Sequence, residues 1–266
     1  MTVKTLLALA GFLLLATAAG AHDTWVQTNA NVVRAGDAVH IQLMLGNHGN
    51  DHRDFKLAGK VRPGAAALEV IAPDGKRYDL KERLSDEGYT PAEGYWSARF
   101  VAVRPGLYLV AHRSDQVVSY APVRSVKSAK TYFLVSRSLD KVPDKSPGFD
   151  RPLGHALELV PQTSPVTPMG PGTPIKVRLL YKGKPLAGAR VSFIPRGETL
   201  SKDFDRRYER KTDGQGRAEF TPAEGNYYLV VAHWLEPKEG GKDYQSTKYS
   251  ATLTVLVPQV CPCCGE

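Results

Sequence analysis

The stretch Gly106-Leu107-Tyr108-Leu109-Val110-Ala111-His112 decides the fold class of this chain. Leu107, Leu109 and Ala111 recur at every second position, which is the period of a β-strand with one buried face. A similar phrase, Gly225-Asn226-Tyr227-Tyr228-Leu229-Val230-Val231-Ala232-His233, occurs in the second half of the chain. Each phrase follows a turn and ends in Ala-His. The two phrases indicate either a duplicated β unit or the convergence of two strand patterns.

The rest of the chain reads as short strands separated by turn residues, with almost no helical periodicity. One such turn is Pro73-Asp74-Gly75-Lys76, where glycine tolerates the positive φ of a tight turn. Turns every ~8–12 residues are typical of β-sandwiches. We therefore predict an all-β protein with two immunoglobulin-like or transthyretin-like β-sandwich domains in tandem, at residues 22–139 and 155–258. Residues 140–154 are rich in proline, glycine and charge, and are the predicted linker.

Residues 1–21 have the features of a secretory signal peptide. Lys4 supplies the positive charge, an apolar run extends over residues 6–16, and Ala19 and Ala21 form the A-x-A cleavage pattern. The run is shorter than the ~20 residues that a membrane-spanning helix needs, and no later segment is long and apolar enough to span. We expect an exported protein, periplasmic or secreted, with no membrane span in the mature chain.

The charge pattern argues against a nucleic-acid partner. The chain has 35 Lys and Arg against 27 Asp and Glu, a formal net charge of +8, but the two signs alternate along it, which is typical of solvated strands and loops. All three cysteines, Cys261, Cys263 and Cys264, lie in a tail at residues 259–266. The tail is open to several interpretations: a soft-metal site for Cu(I) or Zn(II), a local disulfide with one free thiol, an attachment point, or a disordered redox-active end.

The predicted cleavage after Ala21 would make His22 the first residue of the mature protein. An amino-terminal histidine offers an α-amine and an imidazole that can close a chelate ring around Cu(II) or Ni(II). Cleavage one or two residues earlier would still give a nitrogen set for the same ions. The new amino end is therefore a predicted part of a metal site, although a signal peptide must end somewhere and a histidine can follow it by chance.

Other histidines could complete this metal site. His48 and His52 lie in a polar loop, where binding groups tend to gather, and Asp residues nearby could orient their rings. His112 and His233 end the two matching strands, and His233 would place the site at the domain interface. The predicted ligands of a divalent Ni, Co or Cu ion are His22, His48, His112, His233 and His52. The thiols Cys261, Cys263 and Cys264 are a possible secondary site.

The remaining features point away from catalysis. His40 is expected at the surface and His155 in a structural position. The sequence has no Gly-x-Ser-x-Gly elbow, His-Glu-x-x-His helix or Gly-rich phosphate loop. A copper oxygenase with an amino-terminal histidine would need a flat face with an aromatic stripe, whereas Trp25, Trp96 and Trp234 are expected to fill cores. We therefore predict that the protein is not an enzyme.

Three phrases of the second half carry a family resemblance: Leu157-Glu158-Leu159-Val160-Pro161, Lys182-Gly183-Lys184-Pro185-Leu186-Ala187-Gly188-Ala189 and Thr212-Asp213-Gly214-Gln215-Gly216. Together with His22-Asp23-Thr24-Trp25, they resemble the exported bacterial family of unknown function numbered 4198, over nearly the whole mature chain. Its members are often labelled nickel-uptake or cobalt/nickel-transport periplasmic proteins. The resemblance implies a metal-associated accessory of an uptake system, but it supplies no ligand set.

Three functions follow from these observations. The leading hypothesis is a periplasmic protein that binds Ni(II), Co(II) or Cu(II) and acts as a carrier or accessory in metal uptake, with a membrane transporter as partner. The second is a structural adhesion or carbohydrate-binding module, because a sandwich fold does not decide function. The third is a copper- or redox-handling protein that works through the cysteine tail.

Overall fold

The computed structural model describes residues 22–46, 66–88, 93–201 and 203–261. The predicted signal peptide, the loop with His48 and His52, and the tail residues Cys263 and Cys264 lie outside the described residues. In the described part of the chain no helix has the length and apolar character needed to cross a membrane.

Strands make up nearly all regular structure of the described residues, and a three-residue 3-10 turn at Lys81–Arg83 is the exception. In chain order the strands are β1 (Asp23–Thr28), β2 (Val32–Arg34), β3 (Ala38–Gly46), β4 (Ala66–Ile71), β5 (Arg77–Asp79), β6 (Ser85–Asp86), β7 (Trp96–Val101), β8 (Gly106–Val117), β9 (Val123–Ser136), β10 (Leu157–Pro161), β11 (Ile175–Tyr181), β12 (Lys184–Pro185), β13 (Arg190–Pro195), β14 (Glu209–Lys211), β15 (Arg217–Phe220), β16 (Asn226–Glu236) and β17 (Ser246–Val257). The all-β prediction is confirmed.

These strands form three sheets. The front sheet has the order β1-β3-β7-β6, and the back sheet contains β10, β11, β12 and β15. The central sheet has nine strands, in the order β14-β13-β16-β17-β9-β8-β4-β5, with β2 pairing to the end of β9. Both predicted halves of the chain contribute strands to the central sheet.

Parallel pairing of β9 with β17 joins the two halves. The pairs run from Val123↔Ser246 to Thr131↔Thr254, and the Thr131 hydroxyl also donates to the Thr254 carbonyl at 3.0 Å. The predicted sandwiches therefore share one hydrogen-bonded sheet. Their strict separation into two domains stays a prediction.

The central sheet has a hydrophobic core on each face. On β8, Tyr108 and Val110 face the front sheet, whereas Leu107 and Leu109 face the back sheet. This alternation is the period-two pattern of the sequence, but with both faces buried. A smaller cluster places the fully buried Trp25 of β1 against β16 of the central sheet. Trp25 thus fills a core, as predicted.

The predicted turn at residues 73–76 is present between β4 and β5. Gly75 has φ +84°, and its amide donates to the Ala72 carbonyl at 2.8 Å. The Asp74 carboxylate accepts a hydrogen bond from the Lys76 amide at 3.1 Å. Glycine is favoured here because that φ is rarely adopted by residues with a Cβ atom.

The predicted linker, residues 140–154, has no strand but is tied to the sheets. The buried Glu158 carboxylate accepts hydrogen bonds from the amides of Leu153, Gly154 and His155, at 2.5, 2.9 and 3.1 Å. The same carboxylate pairs with the Lys130 ammonium, and both side chains are 2% exposed. Lys130 and the amides lower the pKa of Glu158, although burial alone would raise it. An ion pair inside the protein therefore holds the end of this segment.

Candidate functional site at the start of the first strand

The backbone of β1 is held on the front face of the central sheet by side chains of that sheet. The Lys127 ammonium donates to the His22 carbonyl at 2.5 Å, and the Thr252 hydroxyl donates to the Thr24 carbonyl at 2.9 Å. These contacts come from β9 and β17, one strand from each half of the chain. The predicted amino end of the mature protein therefore has a fixed place over the junction of the two halves.

Asp23 makes the densest polar contacts of this region. Its carboxylate accepts a hydrogen bond from the Ser250 hydroxyl at 2.5 Å, and its two oxygens lie 2.9 and 3.0 Å from Nε2 of His233. Burial alone would raise the pKa of Asp23, but the charge and hydrogen bond of His233, with the Ser250 hydrogen bond, lower it. Asp23 is therefore ionised in the folded protein at neutral pH.

His233 is the partner of that carboxylate and remains 54% exposed at its side chain. The negative charge of Asp23 raises the pKa of His233 above its ordinary value. Because the serine donates to the carboxylate and not to the imidazole, His233 does not stand between Ser250 and Asp23 as a general base would. The three side chains form a hydrogen-bonded ion-pair cluster without an activated nucleophile.

A row of paired strands explains why these residues meet. His233 pairs with Ser250 across β16 and β17, Ser250 with Lys127 across β17 and β9, and Lys127 with Ser114 across β9 and β8. Paired residues point to the same side of a sheet. The sequence analysis missed Ser250 and Lys127, since neither stands in a motif. Burial lowers the pKa of Lys127, so its charge is costly in this position.

His112 lies deep in the fold and not at the end of a strand. β8 continues past it to Val117 and β16 continues past His233 to Glu236, so the prediction that these two histidines end their strands is wrong. The ring is 1% exposed, its Nδ1 lies 2.9 Å from the Ala67 carbonyl, and its Nε2 is buried without a hydrogen-bond partner among the described residues. Burial lowers the pKa of His112 to about 4. The residue is therefore neutral at pH 7 and donates from Nδ1 to Ala67.

His155 lines a cavity of about 510 Å³ beside β4, β8 and β9 of the central sheet, together with Arg113 and Lys81. Its Nδ1 is buried without a hydrogen-bond partner in the described part of the chain. Burial and the neighbouring Lys130 lower the pKa of His155 to about 4. His155 was expected to be structural, and nothing in this arrangement assigns it a ligand.

The predicted ligands are only partly brought together. Asp23, which follows His22, is bonded to His233, whereas His112 is enclosed in the core and His40 is exposed on β3, as expected. His48 and His52 fall outside the described residues, as do Cys263 and Cys264. Within residues 22–46, 66–88, 93–201 and 203–261, no three His, Cys, Asp or Glu side chains are placed to hold a metal ion.

Three solved structures are distantly similar to this chain. A DUF4785 family protein from Legionella pneumophila has 11% identity and a TM-score of 0.28, with 78% of this chain and 52% of that chain covered. An α-2-macroglobulin from Salmonella has 15% identity and a TM-score of 0.25, with 89% and 15% covered. The fibronectin(III)-like modules of Clostridium thermocellum CbhA have 14% identity and a TM-score of 0.20, with 88% and 95% covered. The chain thus spans about half of the Legionella protein and a small part of the macroglobulin.

No curated protein matches the chain. The model of one protein family, described as a domain of unknown function (DUF4198), matches residues 19–236. That match includes β1, the central strands β8 and β9 and all of β16, and hence Asp23, Lys127 and His233. Since it covers most of the sequence, this protein belongs to the DUF4198 family.

Proposed function

We propose that the protein is an exported, non-enzymatic binder of a divalent transition metal, nickel, cobalt or copper, and that it serves metal uptake by passing the ion to a membrane transporter. The α-amine and imidazole of His22 are the proposed primary ligands, and His48 and His52 supply further nitrogens. Nitrogen donors suit this group of ions. Localisation in the periplasm and cleavage after Ala21 are parts of the same proposal.

The pairing of Asp23 with Gly46 carries the proposal. Asp23 is the first residue of β1 and Gly46 is the last residue of the antiparallel β3. The two residues are therefore paired neighbours at one end of these strands. His48 follows Gly46 by two residues, and two residues of extended chain span at most ~7 Å. The predicted amino end therefore lies beside the point at which the chain leaves β3 toward the predicted loop ligands, which supports the proposal.

The ion pair of Asp23 and His233 supports a positioning role for both side chains. Because these two side chains bind each other, the proposal leaves both out of the ligand set. Their pair fixes the backbone next to His22. His112 is left out of the proposed ligand set because its ring is enclosed and donates to Ala67. Of the proposed ligands, only His22 belongs to the described residues. The proposal takes the remaining nitrogen ligands, His48 and His52, from residues 47–65.

Metal titration of the exported protein tests the proposal. We expect one equivalent of Ni(II) or Cu(II) to bind by isothermal titration calorimetry, and affinity to fall at least ten-fold in His22→Ala and after acetylation of the amino terminus. His40→Ala is the matched control, because His40 is exposed on β3 away from Asp23 and Gly46. Equal affinities of all four proteins, or no binding by any of them, would overturn the proposal.

Two further measurements separate the other hypotheses. Intact mass spectrometry of the exported protein, apo and loaded, gives the first residue and the metal stoichiometry together. Deletion of residues 261–266 should leave the affinity unchanged, whereas a redox protein that works through the tail would lose its function. Metal-independent retention on glycans with no metal binding would favour the adhesion hypothesis.

A further inference from the structure

A second cavity, of about 670 Å³, lies on the back side of the central sheet, away from β1. Its floor is apolar and consists of Ile71, Leu107, Leu109 and Leu134. Leu107 and Leu109 belong to the core that faces the back sheet, whereas the alternate residues of β8 face the front sheet and β1. We call this cavity, with its rim, the cationic groove. It shares no residue with the proposed metal site.

The rim of the cationic groove is strongly basic. Five basic residues line the groove and no acidic residue does so among those described: Arg77, Arg137, Lys141, Lys145 and Arg151. Arg77 is paired with Glu69 at 2.6 Å. The other four are exposed, and none of them has an ion-pair partner within the described part of the chain. Four positively charged side chains at the mouth of a cavity raise the local concentration of an anionic ligand.

The neutral part of the rim favours a hydrocarbon over a peptide. Four prolines line the groove, namely Pro73, Pro105, Pro143 and Pro147. Proline has no amide hydrogen, so these positions cannot donate the main-chain hydrogen bonds by which an extended peptide adds to a sheet. Alkyl chains need no such donors and gain free energy from every methylene that leaves water.

The low exposure of the floor favours binding of one hydrocarbon chain over contact with a membrane surface. Leu107 is 9%, Leu109 8% and Leu134 2% exposed, so the apolar floor presents little surface to a flat membrane. The exposed large hydrophobic residues of the described chain do not line the groove. A cavity of this volume lies in the range of ~300–1,000 Å³ that holds small-molecule ligands.

We propose that the cationic groove binds a soluble single-chain amphiphile, with an anionic phosphate or carboxylate head at the basic rim and a linear hydrocarbon tail on the leucine floor. Arg137, Lys141, Lys145 and Arg151 provide the head-group charge. Lys and Arg both bind phosphate and carboxylate through charge-assisted hydrogen bonds. This site does not depend on the proposed metal-binding function.

Binding of dodecyl phosphate and dodecanoate, below their micelle concentrations, tests the proposal. Isothermal titration calorimetry with the full mature protein should show saturable 1:1 binding of one or both, weakened by added salt. Dodecanol and inorganic phosphate are the probes that carry only the tail or only the head. Each should bind at least ten-fold more weakly than dodecyl phosphate, because each keeps only one of the two interactions.

Charge reversal at the rim locates the site. The double variant Lys141→Glu with Lys145→Glu should weaken dodecyl phosphate binding at least ten-fold, since two attractions become repulsions. Lys184→Glu is the matched control, because Lys184 is an exposed lysine of β12 outside the groove, and it should keep wild-type affinity. Circular dichroism checks that the variants, whose substituted side chains are all exposed, remain folded.

Four results would overturn the proposal: no binding of either amphiphile, equal binding of dodecanol, equal binding of inorganic phosphate, or unchanged affinity in the double variant. Preferential binding to anionic vesicles with no binding of the free amphiphiles would assign the surface to a membrane instead. Metal titration of the double variant should match the wild type whichever result is obtained, so failure here is distinguishable from failure at His22.

Discussion

At the scale of the residue, three buried or half-buried histidines respond to pH in different directions. His233 has a raised pKa because Asp23 faces it, whereas burial lowers the pKa of His112 and of His155 to about 4. The interaction of His233 with Asp23 is fully present below pH ~6.5 and is lost as the pH rises through the folded pKa of His233. His112 and His155 behave in the opposite sense, since acid protonates them first in the unfolded chain.

Replacement of His112 by glutamine should remove part of the acid sensitivity of the fold. Between pH 7 and pH 4.5 the unfolded chain takes up a proton at this residue and the folded protein largely does not, which costs the wild type roughly 2–3 kcal/mol of unfolding free energy. Urea unfolding at the two pH values should show a correspondingly smaller loss in His112→Gln. His40→Gln, the same substitution at an exposed histidine, is the matched control, and an unchanged pH dependence in His112→Gln would contradict the assignment.

Replacement of Glu158 by glutamine should destabilise the protein by about 3–5 kcal/mol at pH 7, because it leaves the Lys130 ammonium buried without an opposite charge. Denaturant unfolding measures the loss. The double variant Glu158→Gln with Lys130→Met removes the unpaired charge and should recover a large part of it. A single variant as stable as the wild type would show that Lys130 is neutral or solvated in the fold.

At the scale of the element, β1 connects the predicted metal site to the rest of the molecule. Its residues are all buried, and it receives hydrogen bonds from Thr252 and Tyr227 of the central sheet in addition to its pairing with β3. Lys127 of the same sheet donates to the carbonyl of His22, which precedes the strand. Asp23 attaches β1 to the central sheet through hydrogen bonds, and Trp25 attaches it through apolar packing. The strand is a structural element first, and its position sets the place of His22.

Replacement of Trp25 by alanine should cost about 3–5 kcal/mol, because a fully buried indole leaves a large cavity between β1 and β16. Thermal unfolding followed by circular dichroism should show a lower melting temperature, and protease should cleave the amino-terminal strand faster. Trp25→Phe keeps most of the apolar volume and should cost clearly less. Wild-type stability of Trp25→Ala would mean that β1 is only loosely attached.

At the scale of the whole molecule, the central sheet makes the two halves mutually dependent. Cores on both faces use residues from β8 and β9, and the back core combines these with β16 and β17. A change in one half therefore alters surface buried by the other. Two domains joined only by a linker would instead each have a separate hydrophobic core.

Calorimetry should accordingly show a single unfolding transition for the mature protein, with a calorimetric enthalpy equal to the van't Hoff enthalpy. The tryptophans offer a local check: Trp96 lies in the first half and Trp234 in the second. In two variants Trp25 is replaced by phenylalanine, and each variant keeps either Trp96 or Trp234. The two variants should give coincident denaturant midpoints after correction for the cost of the substitutions. Two resolved transitions would show that the sheet junction is weaker than its nine residue pairs suggest.

Local chemistry accounts for the features that the sequence predicts correctly. Alternation along residues 106–112 predicts a strand, and the glycine of residues 73–76 predicts a turn, because each depends on neighbours a few positions away. The same local patterns give the all-β class and the burial of Trp25. They do not give the end of β8, since Ser114 and Asp115 are typical turn residues and yet the strand continues through them to Val117.

By itself, the sequence determined an all-β chain with membership of one family, and it drew attention to His22 and the other histidines. Only the tertiary structure decided that Asp23 binds His233, 210 positions away, and that β17 pairs in parallel with β9. It also decided that His112 is enclosed and that four cations surround one apolar groove. Contacts of this kind join residues whose strands are not connected directly by one turn. The free energy that selects them therefore lies in packing and paired charges, which no local sequence pattern records.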